Sequence, residues 1–149
     1  MAAALNYMPV NTRPGSIQSM EMEVATAKYG YIVALSGTSP TGVSITVDAG
    51  QQPFGVVCDH GDPNNSDLFA TGSIVSVART GPTDVMFDAT TAITKGDKII
   101  CSGNNGRAKV LAAEVDPYWL LGTAAQTITI GAADGLATVD LGIQWVAKD

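Results

Sequence analysis

The chain has 149 residues, 14 acidic against 8 basic, giving a net charge of −6, and is 46% hydrophobic with 15% charged residues. Such a composition is too apolar for a disordered chain, and its length buries a core in one domain without disulfide staples. It argues against duplex binding, which needs clustered cations to neutralise phosphates: Arg13, Lys28, Arg79, Lys95, Lys98, Arg107, Lys109 and Lys148 are scattered.

Residues 1–19 are the least patterned part of the chain. Pro9 and Pro14-Gly15 interrupt them, and Asn6, Asn11 and Thr12 add turn formers. The segment reads either as a frayed terminus or as an extended arm that orders on a partner. It shows no basic start followed by an apolar core, and the chain has no apolar run of about 18 residues. Neither a signal peptide nor a membrane span is therefore expected, and a protein made in a reducing cytoplasm fits.

From residue 20 the pattern turns to β. Met20, Met22 and Val24 alternate with Glu21 and Glu23, residues 31–35 form an apolar run, and Val43, Ile45 and Val47 alternate with polar neighbours. The run Phe54-Gly55-Val56-Val57-Cys58 predicts a strand buried on both faces. Residues 59–67 read as a polar loop, residues 68–78 resume β character, and Thr80-Gly81-Pro82-Thr83 predicts a turn before Val85-Met86-Phe87. Residues 88–92 have room for one short helical turn capped by Asp88. Residues 98–101 and 108–111 flank an Asn-Gly turn and predict a hairpin. Strands over 119–124, 127–130 and 136–146 complete the chain. Nine to eleven short strands without a crossover helix predict an all-β sandwich or barrel over residues 20–149, preceded by the arm.

Chemical vocabulary is sparse. Asp59, His60, Asp62 and Asp67 crowd one loop, but their spacing is not that of an EF-hand and Pro63 interrupts it, so a solvated acidic loop is expected and no metal site. His60 is the single histidine, and no Ser or Cys stands in a nucleophile elbow beside it. Glu21 and Glu23 share one face of a strand as a solvent face would. Ser102-Gly103-Asn104-Asn105-Gly106 lacks the Lys-Ser/Thr of a phosphate loop. Cys58 and Cys101 each end a strand-like apolar run, as free buried thiols do. Neither catalysis nor a cofactor is expected.

The second half carries a resemblance. Ala92-Ile93-Thr94-Lys95-Gly96-Asp97-Lys98-Ile99-Ile100, Asn105-Gly106-Arg107-Ala108-Lys109-Val110, Leu121-Gly122-Thr123-Ala124-Ala125 and Ala137-Thr138-Val139-Asp140-Leu141, in that order, resemble the head-decoration (capsid cement) proteins of tailed bacteriophages. Phe54-Gly55-Val56 and Gly72-Ser73-Ile74-Val75 match that family more loosely. The loop over 59–67 and the pair Tyr118-Trp119 depart from its pattern.

The resemblance implies a β-barrel or β-tulip-like domain that binds the exterior of an assembled capsid. It further implies self-association, typically as a homotrimer, and bridging of neighbouring major capsid subunits in the virion. On that reading the arm, particularly Asn6, Tyr7, Met8, Arg13 and Pro14, contacts the capsid. The alternative is a carbohydrate- or ligand-binding β module using Tyr118, Trp119 or Trp145; otherwise these aromatics are core residues.

Overall fold

The structure is a computed structural model that describes residues 15–37, 39–46, 48, 50–113 and 117–147. Its strands are β1 (Ser16–Met22), β2 (Ile32–Leu35), β3 (Gly42–Ile45), β4 (Gly55–Val57), β5 (Ile74–Phe87) and β6 (Ala92–Ile93). They are followed by β7 (Lys98–Cys101), β8 (Ala108–Val110), β9 (Tyr118–Ala124), β10 (Ile128–Thr129) and β11 (Gly135–Val146). The fold is all-β, and the strands fall where apolar runs or alternation place them.

Pairing closes on itself twice. One circuit runs β1–β3–β2–β4–β5 and returns to β1, making a closed five-stranded barrel. A second runs β5–β11–β9–β7–β8 and returns to β5 through the single pair Phe87↔Ala108. Closure satisfies main-chain groups that an open sheet would leave at its edges. The short pair β6 and β10 caps the second circuit and brings Ile93 into its core beside Ile130.

Each circuit has its own apolar interior. Met20, Met22, Tyr31, Val33, Val43, Val57, Phe69, Val75 and Val77 fill the first. Phe87, Ile99, Cys101, Leu121, Ala137, Val139 and Leu141 are among those filling the second. Successive strand residues face opposite ways, so β2 and β4 form a shared wall: Val33 and Val57 enter one core, Ile32 and Val56 the other. All three residues of β4 are buried, as the unbroken apolar run predicts.

Three local expectations fail. Residues 80–83 do not turn the chain back; β5 passes straight through them as a 14-residue strand. Gly81 has φ +83° there and Pro82 faces Asp140 of β11, so the turn-forming pair marks a handover of pairing partners instead of a reversal. Residues 88–92 form no helical turn: Thr90 is left-handed at φ +63°, and its N–H, which an Asp88 cap would take, donates to the Gly131 carbonyl at 2.8 Å. Finally, β1 begins at Ser16, inside the segment read as arm. Its residues 16–19 are exposed and show no alternation, because pairing with β5 holds them and not burial. Val47 lies outside the described residues.

The motifs behind the resemblance weld the two barrels. In the predicted hairpin, with Ile99 opposite Val110, Gly106 adopts φ +78°. Its N–H donates to the Thr46 carbonyl and its carbonyl accepts from the Ile32 N–H, each at 2.7 Å, so a turn of the second barrel bonds to the first. A Cβ at Gly106 would stand 2.7 Å from the Tyr31 ring. Arg107 donates to Asp134 Oδ2 at 2.6 Å and lies 3.3 Å from Asp88 Oδ1, joining three turns. Asp97 closes its own turn by accepting from the Thr94 N–H, while Gly96 N–H donates to Ala124 of β9. A Cβ at Gly122 would lie 2.2 Å from the Asp140 carbonyl, so β9 crosses β11 too closely for a side chain there.

Both thiols are free. Cys101 is buried in the second core, and Cys58 donates to the Ser76 carbonyl at 3.4 Å. Burial pushes each thiol from 9.0 up to about 11, helped at Cys58 by the charge of Asp59. The Tyr29 phenol is raised too, first by burial and then by Asp84, to which it donates at 3.0 Å.

Two predictions follow from this packing. Gly106→Ala forces a left-handed alanine against Tyr31, which costs about 1–3 kcal/mol. Thermal melting should fall by roughly 2–4 °C per kcal/mol, with the far-UV spectrum unchanged below the transition. An unchanged Tm would show that the weld bears no load. Because the folded thiols hold their protons more tightly than the unfolded ones, their contribution is complete below pH 9.0 and fades as pH rises towards about 11. The urea midpoint should therefore decline across that window, and Cys101→Ala should flatten the decline.

Candidate interaction surface

The arm residues Asn6, Tyr7, Met8, Arg13 and Pro14 lie outside the described residues. The first described residue, Gly15, is anchored: its N–H donates to the Thr80 carbonyl at 2.7 Å, and Ser16 pairs with Thr80. Thr80 also pairs with Gly142 of β11. A strand residue has one partner on each side, so β1 and β11 flank β5 at this row.

Beyond that row β11 leaves β5. Its last pair with β5 is Gly142↔Thr80, and its register with β9 slips between Leu141 and Gln144, where three steps along β11 match two along β9. This is a β-bulge, which bends and twists the strand that carries it. Past it, Gln144, Trp145 and Val146 pair with Leu120, Trp119 and Tyr118 of β9 and with no residue of β5, forming a two-stranded ribbon. Among the described residues, no main-chain partner occupies the outer edge of either ribbon strand.

The ribbon is aromatic. Trp119 and Trp145 face each other across it, ring centroids 5.2 Å apart and tilted by 55°. Trp145 is 51% exposed, so it is not a core residue, whereas Trp119 and Tyr118 are half-buried. Between the ribbon and the approach to β4 opens a groove of about 570 Å³, with Ile143 and Trp119 on one side and Leu35, Pro53 and Phe54 on the other. Leu35 is 56% exposed. Arg79 also lines the groove, its guanidinium 3.9 Å from the Phe54 ring centroid, and its buried Nε has no hydrogen-bond partner. Sequence reasoning passed over Arg79 as one scattered cation. Its signal is position: a charged residue directly after Val77-Ala78, buried residues of a core strand.

The acidic loop is occupied with its own structure. His60 stacks on Tyr29 with centroids 4.2 Å apart and planes 4° from parallel, and its Nδ1 lies 3.2 Å from Asp67. Asp62 accepts from the Asn64 N–H at 2.9 Å and caps a short 3-10 turn over Pro63–Asn65. Asp59 accepts from the Ser76 N–H at 2.7 Å, tying the loop to β5. These carboxylates hold the loop to itself and to the barrel. Among the described residues no group of three or more His, Cys, Asp or Glu is placed to hold a metal ion. Glu21 and Glu23 are both half-buried.

No curated protein matches the chain significantly. The model of a family described as structural cement protein (E217 gp24/Pam3 gp6) matches residues 1–142, which take in the segment before β1 and every strand except the last four residues of β11. The chain therefore belongs to the structural cement proteins of phages.

Proposed function

We propose that this protein binds the exterior of an assembled phage capsid and stabilises it by bridging neighbouring major capsid subunits, as a self-associated homotrimer. The observation that carries the reading is the family match over residues 1–142, whose framework residues fold into two welded barrels. The physical logic is linkage: a protein that binds the assembled lattice and not its free subunits stabilises the lattice by mass action. Many copies, each touching adjacent subunits, convert modest single contacts into high avidity.

On this reading residues 1–14 are an arm that contacts the capsid through Asn6, Tyr7, Met8, Arg13 and Pro14. Gly15 and Ser16 fix its root on β5, so an arm ordered on a partner transmits that contact into the barrel wall. A second reading, sugar binding, is favoured by the exposure of Trp145 beside Trp119. It expects glycan-array binding that Trp119→Ala abolishes.

Deleting residues 1–14 should leave the melting transition of the barrels in place and reduce occupancy on purified capsids by about tenfold or more. Occupancy is read by quantitative gel densitometry after sedimentation. Unchanged occupancy would remove the arm from the contact. Electron microscopy of purified virions should show protruding density at three-fold or quasi-three-fold positions, and an absence of external density would overturn the reading.

A further inference from the structure

The ribbon and the groove beside it combine three features that a free-standing monomer has little reason to keep together. Among the described residues no main-chain partner occupies the ribbon's outer edge along residues 144–146, while the barrel strands pair into closed circuits. An open edge offers N–H and C=O groups to an incoming strand. Beside it, the exposed Leu35 lines a groove, and the exposed Trp145 packs on Trp119 of the groove's wall. At the groove, Arg79 is held over Phe54 with a buried Nε that lacks a hydrogen-bond partner. Stacking on an aromatic face orients a guanidinium without consuming its in-plane donors, which suit a carboxylate.

Charge selects the occupant. A segment that pairs with the Arg79 charge as well as its open donor brings a carboxylate among apolar side chains. Residues 1–14 contain no Asp or Glu and carry Arg13, so the arm of a second copy brings no carboxylate and adds a cation. Ribbon-to-ribbon pairing of two copies would bring two Arg79 grooves to one interface without a matching acid from either ribbon, since residues 143–146 contain no acidic residue.

We propose that the groove and the free edge of β11 receive an extended acidic–apolar segment of a neighbouring major capsid subunit. The segment adds as a third strand to the ribbon, packs on Trp145 and Leu35, and places a carboxylate on Arg79. This rests on the capsid-binding reading above and identifies a second contact surface, separate from the arm.

The test uses the full-length chain and cement-free expanded capsids of the phage that encodes it, with binding measured by sedimentation. Arg79→Gln and Trp145→Ala should each weaken binding by at least about tenfold, while Lys95→Gln, on a distant turn, should not change it. Trp145 is exposed, so Trp145→Ala keeps the test valid even if Arg79→Gln perturbs folding; near-UV circular dichroism checks both. Photo-crosslinking from position 145 should capture the major capsid protein.

If wild type fails to bind capsids, the capsid reading itself falls, and this inference with it. If wild type binds and both variants bind within about twofold of it, the reading stands and the groove assignment is overturned. Crosslinking from position 145 to another copy of this chain would overturn the assignment in favour of a second copy. Loss of glycan binding instead of capsid binding in Trp145→Ala would overturn it in favour of a sugar.

Discussion

Main-chain hydrogen bonding along β5 is the constraint on which the rest of the structure depends. Fourteen residues of strand extend for roughly 45 Å, long enough to serve both barrels. Over its first half β5 pairs with β1 and β4; over its second half it pairs with β11 and, at Phe87, with β8. The handover falls at residues 80–82, where Gly81 takes a positive φ and Pro82 offers no N–H. A proline is tolerated where a ladder changes partners, because one missing donor is least disruptive there. Neither barrel could close without this strand, and the two cores meet through the shared walls beside it.

That arrangement explains what could be read in the chain and what could not. Alternation at Met20 and Met22 and the unbroken run around Val56 report burial directly, so those strands were legible. The motifs over residues 92–143 were legible for a different reason: Gly96, Asp97, Gly106, Arg107 and Gly122 sit where backbones touch or turns interlock, and few residue types satisfy such positions. Gly81-Pro82 misled because local turn chemistry looks the same whether the chain reverses or merely changes neighbours. Residues 16–19 were missed because main-chain pairing leaves no mark in side-chain pattern.

The interaction surface was the least legible part, and for a physical reason. Trp119 and Trp145 lie 26 positions apart and become a pair only through the register of β9 with β11. Their exposure depends on a bulge of one residue, which composition does not announce. Arg79 and Phe54 meet only because β4 and β5 are neighbours. The acidic loop, by contrast, gathers its candidate ligands locally. Asp59, Asp62 and Asp67 turn oxygens to Ser76, Asn64 and His60, so proximity in sequence there produced a self-bonded loop. The candidate surface, unlike the loop, is assembled from segments distant in sequence.

The row Ser16–Thr80–Gly142 sets the root of the arm and the foot of the ribbon on opposite sides of a single residue. Tension arriving through the N-terminal segment and resisted at the ribbon would cross the molecule through that one row, without passing through either hydrophobic interior. The barrels would then act as flanking supports that keep a short hydrogen-bonded crossbar aligned. Mechanical strength would be governed by the ladder on β5, and thermal stability by the two cores, so the two properties could vary independently in this protein.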